Sequence, residues 1–222
     1  MTKYSWSKYN DLNSKSSLKM INFNKLNKIN FIEAGLYNHI RDIFCLTILF
    51  NKKLNKKTKV LDYGSNLMAL SNITSKVDVR LFDFFIYDPY HSKKYNKLKT
   101  PFTIKFYTNK EKLKFNKFDI VNFGSSLQYI ESIDSLSNTI NFRFVKTIII
   151  THTPITLSKK YSSKQKNHKS LIQNIHTLNN IKNYFYKFGF SLVFKSRNEE
   201  KYIACSKKQK NTHSLNLIFI KK

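Results

Sequence analysis

At 222 residues the chain can bury a core without covalent staples, and its two cysteines, Cys45 and Cys205, lack the spacing of a disulfide framework or a zinc site. The formal net charge is +27, yet the basic residues are nearly all lysine, with arginine only at Arg41, Arg80, Arg143 and Arg197. Asn, Ile, Phe and Tyr are abundant too and share AT-rich codons with lysine, so the charge by itself does not assign an anionic partner.

No segment approaches the roughly 18 continuous apolar residues of a membrane span, and the Met1 end is polar where a secretory leader needs an apolar core. A soluble, cytoplasmic protein without membrane insertion is expected. Residues 2–30 are polar, without a sustained period, and read as an arm. From Phe31 to Phe50, Ile32, Leu36, Ile40, Ile43, Leu46 and Phe50 recur at three-to-four spacing and predict an amphipathic helix. Residues 1–57 are therefore expected to form an arm and helix packed on an α/β domain over 58–222.

Short apolar runs then alternate with polar or helical stretches, the rhythm of a parallel sheet with crossovers. The expected strands are Val60–Tyr63, Leu81–Tyr87, Thr103–Tyr107, Phe118–Phe123 and Lys146–Thr151, with a helix over Ile133–Phe142 capped by Ser132. Thr177 caps a further helix whose buried stripe is Leu178, Ile181, Tyr184, Phe185 and Phe188, and Gly189 sits where a left-handed residue ends it. Two late strands, Phe190–Lys195 and Leu215–Ile220, suggest a hairpin that closes one edge, making the sheet mixed.

The first strand ends in Val60-Leu61-Asp62-Tyr63-Gly64-Ser65-Asn66, which delivers an acidic residue and then a glycine at a strand-to-helix turn. Ligands of open α/β sheets lie at the carboxyl ends of the strands, and a glycine there admits close approach of the backbone. The second strand ends in Asp88-Pro89, a position from which a carboxylate can accept bonds from ribose hydroxyls. Asp83 is the second candidate for that role. The fourth strand reads Phe118-Asp119-Ile120-Val121-Asn122-Phe123-Gly124, followed by Ser125-Ser126-Leu127-Gln128-Tyr129-Ile130.

These segments resemble class I S-adenosylmethionine-dependent methyltransferases, whose first motif is an apolar-Leu-Asp-x-Gly-x-Gly-x-Gly turn. Ser125–Ile130 and Ile148-Ile149-Ile150-Thr151-His152-Thr153-Pro154 are similar more narrowly to a bacterial group associated with surface-polysaccharide gene clusters. The resemblance implies a Rossmann-like three-layer sandwich with a mostly parallel sheet and an antiparallel C-terminal strand. It also implies S-adenosylmethionine as cofactor, bound by Asp62, Gly64, Ser65, Asn66, Asp88 and Ser125. Asn66 and Met68 stand where the family carries its second and third glycines.

Methyl transfer from a sulfonium is a direct displacement that chiefly demands alignment and exclusion of water. For a sugar hydroxyl, His152 just past the fifth strand is the candidate catalytic base, while His168 and His176 fall in a polar loop. The acceptor expected is a small molecule or a saccharide, methylated on oxygen, and no metal is expected. A lysine cluster at Lys159, Lys160, Lys164, Lys166 and Lys169 could line the acceptor side, and another spans Lys52, Lys53, Lys56, Lys57 and Lys59. The alternatives are a nucleic-acid methyltransferase or basic RNA-binding protein on the same sheet, and a non-catalytic scaffold with a degraded cofactor loop. An Asn/Asp-Pro-Pro-Tyr turn, used by amino-methylating nucleic-acid enzymes, is absent from the fourth strand.

Overall fold

The computed structural model describes residues 42–53, 56–64, 73, 76–89, 104–165, 168–198 and 209–222. Seven strands form one sheet: β1 (Thr58–Tyr63), β2 (Phe82–Tyr87), β3 (Ile104–Tyr107), β4 (Ile120–Gly124), β5 (Thr147–Thr156), β8 (Phe190–Arg197) and β9 (Thr212–Lys221). Their spatial order is β3-β2-β1-β4-β5-β9-β8. The first five run parallel, whereas β9 is antiparallel to both β5 and β8. The order reverses between β1 and β4, and this switch point fixes where a ligand crevice can open.

Both faces of the sheet are covered, which is why the central strands are apolar throughout rather than alternating. On one face, helix α1 (Asp42–Phe50) packs Phe44, Cys45 and Ile48 onto Val60, Phe82, Phe84, Ile120 and Ile149. The other face meets Leu113, Leu127, Ile133, Leu136, Ile140 and Phe142, together with helix α2 (Leu178–Tyr186). Thr177 caps α2 by accepting a hydrogen bond from the Asn180 amide, and Gly189 takes φ 82°. Among the described residues no helix is long and apolar enough to cross a membrane.

Three expectations change. Of the predicted stripe, Ile32, Leu36 and Ile40 lie outside the described residues, and within α1 the remainder turns from the sheet, with Leu46 54% and Phe50 87% exposed. The helix is apolar nearly all round, so several stripes fit its period and packing against the sheet selects Phe44, Cys45 and Ile48. The Ile133–Phe142 segment forms a 3-10 turn over Ile133–Asn138, and Ser132 makes no side-chain cap. Ser135 and Ser137 instead donate from Oγ to the carbonyls of Ser132 and Asp134, local bonds that compete with an α-helix. Finally, the polar stretch after β5 is a hairpin of β6 (Tyr161–Gln165) and β7 (His168–Ile175).

The core beneath α2 is aromatic. Phe142 meets Tyr184, Phe185, Phe188 and Phe190 at ring-centroid distances of 5.0 to 6.2 Å, mostly edge to face, the arrangement that ring quadrupoles favour. Truncation by Phe142→Ala should cost about 3 to 5 kcal/mol, seen as a lower urea midpoint with an unchanged slope.

Candidate functional site

The carboxyl ends of β1, β2, β4 and β5 share one edge. The register pairs Asp62 with Ile86 and Asn122, and Tyr63 with Tyr87. Gly64 follows at φ 76°, donating its amide to the Tyr87 carbonyl at 2.7 Å. Asp88 leaves β2 one residue beyond the pair, with its amide bonded to the Tyr107 carbonyl at 3.0 Å. Asp62 and Asp88 are each only 2% exposed, so two acidic side chains are sunk at neighbouring strand ends around a left-handed glycine.

Further along the edge, Ser125 adopts φ 58° and His152 φ 50°. Positive φ is uncommon outside glycine, and such strain collects at ligand sites. The two residues are bonded together: Ser125 Oγ donates to the His152 carbonyl at 3.2 Å, and the Ser125 amide donates to Thr151 at 2.8 Å. His152 is part of β5 rather than past it, at the bulge where the β5–β9 register shifts between Ile150 and Thr153. Its amide donates to Asn216 Oδ1 at 3.0 Å. The strand outruns its expected end because β9 continues to pair with it up to Thr156.

The structure thus gathers Asp62, Gly64, Asp88, Ser125 and His152 on one edge, while Ser65, Asn66 and Met68 lie outside the described residues. Asp83 is removed from the site, as it faces Lys59 at the opposite end of the ladder and pairs with Lys57 at 3.8 Å. Lys53 forms an ion pair with Asp119 at that end too, so the lysine cluster of Lys52 to Lys59 flanks the amino ends of the strands. Lys159, Lys160 and Lys164 are exposed on the β5–β6 turn and β6. Among the described residues no group of three or more His, Cys, Asp or Glu is placed to hold a metal.

Asn122 escaped the sequence reading, although a lone amide inside an otherwise apolar strand was a signal. Its Nδ2 donates to Asp62 Oδ1 at 2.7 Å, and the residue is fully buried. On the opposite face, Tyr63 stacks against Tyr87 and Phe123 at centroid distances of 4.7 and 5.3 Å. Burial pushes its phenol above the usual range, with Tyr87 adding to the effect.

The hairpin packs against the turn that follows β4. Tyr129 donates from its hydroxyl to Gln165 Oε1 at 2.8 Å, and His176, just past β7, bonds through Nε2 to the Ile130 carbonyl at 3.0 Å. His176 is buried, not in an open loop as its polar neighbours suggested, because β7 carries it under Ile130. Two shallow cavities of about 220 and 410 Å³ adjoin α2, and none of the five gathered residues lines either.

Sequence comparison adds little: no family model matches the chain, and no curated protein matches it. Solved structures do. A methyltransferase from Methanosarcina mazei described as S-adenosylmethionine-dependent is 14% identical, with a TM-score of 0.52 over 78% of this chain and 96% of that one. The 1,6-didemethyltoxoflavin N1-methyltransferase of Burkholderia thailandensis, solved with its substrate and S-adenosylhomocysteine, is 12% identical, with a TM-score of 0.55 over 84% and 80%. The [4+2]-cyclase SpnF is 11% identical, with a TM-score of 0.56 over 81% of each chain. The fold is therefore the Rossmann-like class I methyltransferase fold, with an antiparallel C-terminal strand.

Burial lowers the pKa of His176 from 6.5 to about 4 despite its bond to Ile130. Between those values the unfolded chain binds a proton that the folded one does not, so stability is full above about pH 6.5 and falls as pH drops toward 4. The loss should approach about 1 kcal/mol per pH unit at its steepest. Denaturant midpoints measured from pH 7 to 4 should show a smaller decline in His176→Gln than in the parent.

Proposed function

We propose that the protein is an S-adenosylmethionine-dependent methyltransferase that methylates a small-molecule or saccharide acceptor on oxygen. The observation that carries this reading is the pair of buried acids, Asp62 and Asp88, flanking left-handed Gly64 at the switch point of the sheet. Two features suit the cofactor. Among the described residues Asp62 Oδ2 is buried with no hydrogen-bond partner, so it can accept from an amino group. Gly64 offers backbone unshielded by a side chain.

When bound, S-adenosylmethionine supplies a methyl group on a sulfonium open to in-line displacement. In this proposal Asp62 holds the amino group and Asp88 accepts from the ribose hydroxyls. Gly64 meets the amino-acid part, Ser65 and Asn66, which follow it in the sequence, contribute to binding the cofactor, and Ser125 lines the edge beside it. His152 takes the proton of an acceptor hydroxyl as it becomes acidic in the transition state. The hairpin tied to Tyr129 and Ile130 keeps water from the reacting atoms. The exposed Lys159, Lys160 and Lys164 favour an anionic acceptor such as a sugar nucleotide.

A second reading has one observation in its favour: SpnF, a cyclase, shares the fold, so this architecture also serves chemistry other than methyl transfer. Binding and turnover separate the two. S-adenosylhomocysteine at about 100 times its dissociation constant should stabilise the protein by about 2.7 kcal/mol in a thermal-shift titration, and Asp88→Ala should abolish most of that gain. Radiolabelled methyl incorporation into a panel of sugar nucleotides and small hydroxylated acceptors tests the reaction. A thermal shift without transfer to any acceptor would favour the second reading, and no shift at all would remove both cofactor and transferase.

A further inference from the structure

The bulge in β5 places Thr151 and His152 opposite Asn216 alone, because the β5–β9 register jumps from Ile150–Leu217 to Thr153–Leu215. A bulge leaves its extra residue without a ladder partner, and an amide shielded from water needs one. Asn216 Oδ1 accepts from the His152 amide at 3.0 Å, while Ser125 Oγ donates to the His152 carbonyl at 3.2 Å. The peptide groups on both sides of a non-glycine residue at φ 50° are therefore held. Asn216 is only 1% exposed and is itself fixed. It exchanges two bonds with the Asn198 amide, at 2.8 and 3.0 Å, and donates to Ser196 Oγ at 3.1 Å. Its Oδ1 accepts twice and its Nδ2 donates twice, which uses the whole capacity of the amide and settles which way it points.

We propose that Asn216 is a positioning residue for His152, acting through the backbone amide to hold the bulge in the conformation from which His152 serves as base. The inference rests on the methyl-transfer reading above and names the residue that sets its geometry. Were the bulge only a means of bending β5, glycine at position 152 would take the left-handed backbone without strain. A histidine there is strained, and such strain persists only where the surroundings impose it. Three side chains from β9 and the end of β8, Asn216, Asn198 and Ser196, converge to do so. Bulges beside reactive centres re-aim a side chain, and misplacing a reacting group by about 1 Å costs about 100-fold in rate. Asn216 is separated from β1 by β4 and β5, so its loss falls on turnover and spares the cofactor side of the sheet.

The test is a double-mutant cycle on the full chain, read as methyl transfer to whichever sugar nucleotide or hydroxylated acceptor the parent turns over fastest, beside calorimetric titration with S-adenosylhomocysteine. Asn216→Leu should lower kcat by about 100-fold while the acceptor KM and the affinity for S-adenosylhomocysteine stay within about twofold. In a His152→Ala background the same substitution should change kcat by less than about twofold, because Asn216 acts only through His152. A merely structural role would lower kcat equally in both backgrounds and weaken S-adenosylhomocysteine as well. Should Asn216→Leu fail to fold, Asn216→Ser, which leaves room for water in place of the amide, carries the same cycle with the same expectation. Equal losses in the two backgrounds, or an undiminished kcat in the single variant, overturn the positioning role and leave methyl transfer standing. A His152→Ala variant as active as the parent overturns the base and Asn216 with it. A parent that binds S-adenosylhomocysteine but methylates no acceptor overturns the transferase reading and the positioning role together.

Discussion

The parallel ladder that holds β1 between β2 and β4 decides which side chains can share an edge, and the proposed chemistry depends on its register. Pairing Tyr63 with Tyr87 brings Gly64 and Asp88 out together, one residue beyond the ladder. A slip of a single residue would reverse every side chain, sending Asp62 into the aromatic layer and Leu61 toward α1. Two features oppose the slip. Tyr63 packs between Tyr87 and Phe123 near the carboxyl end, and the Lys59 amide donates to Asp119 Oδ2 at 2.9 Å near the amino end.

That same polarity of the strands sorts the charge. Lys53 with Asp119 and Lys57 with Asp83 gather at the amino ends, where they tie the linker to the sheet. Asp62 and Asp88 lie at the other ends, remote from those lysines. Lys53 and Lys57 are thus engaged by acids of the fold, although the net charge of +27 already counts those acids and is unchanged by the pairing. The half-exposed Lys57–Asp83 pair adds little stability by itself, whereas Lys53–Asp119 is more deeply seated and holds a carboxylate that also accepts from the Lys59 amide.

Much of the sheet was legible because buried parallel strands are written as continuous apolar runs. Val60-Leu61, Phe84-Phe85-Ile86 and Ile148-Ile149-Ile150 leave little alternative, and Thr177 and Gly189 bracket α2 by local chemistry alone. The candidate site was legible where strand ends carry unusual residues, as at Asp62 and Asp88, which the register brings to neighbouring strand ends. Asn122 was missed because its role arises from a partner 60 residues away, a distance across which residue spacing carries no signal. The stripe on α1 failed for the converse reason: with apolar residues on both sides, nothing local distinguishes Ile43, Leu46 and Phe50 from Phe44, Cys45 and Ile48. His152 was misplaced by the end of the apolar run at Ile150, since β5 continues through Thr153, Pro154 and Thr156 on pairing with β9.

The β6–β7 hairpin was hidden because its buried positions are polar. Ser163, Gln165 and Gln173 are buried while Ile172 is exposed, so hydrophobic alternation, the usual mark of a strand, is inverted. Its apolar anchors are few, chiefly Leu171 and Ile175, and its attachment runs through Tyr129 to Gln165 and His176 to Ile130. A unit held by hydrogen bonds with little buried apolar surface belongs to the less stable parts of a fold. Tyr129 and Ile130 follow Ser125 within one short 3-10 turn, and Ser125 is bonded to His152. The hairpin is consequently linked through the Leu127–Tyr129 turn to the strained pair of Ser125 after β4 and His152 at the β5 bulge, so it can shift without disturbing the register beneath it.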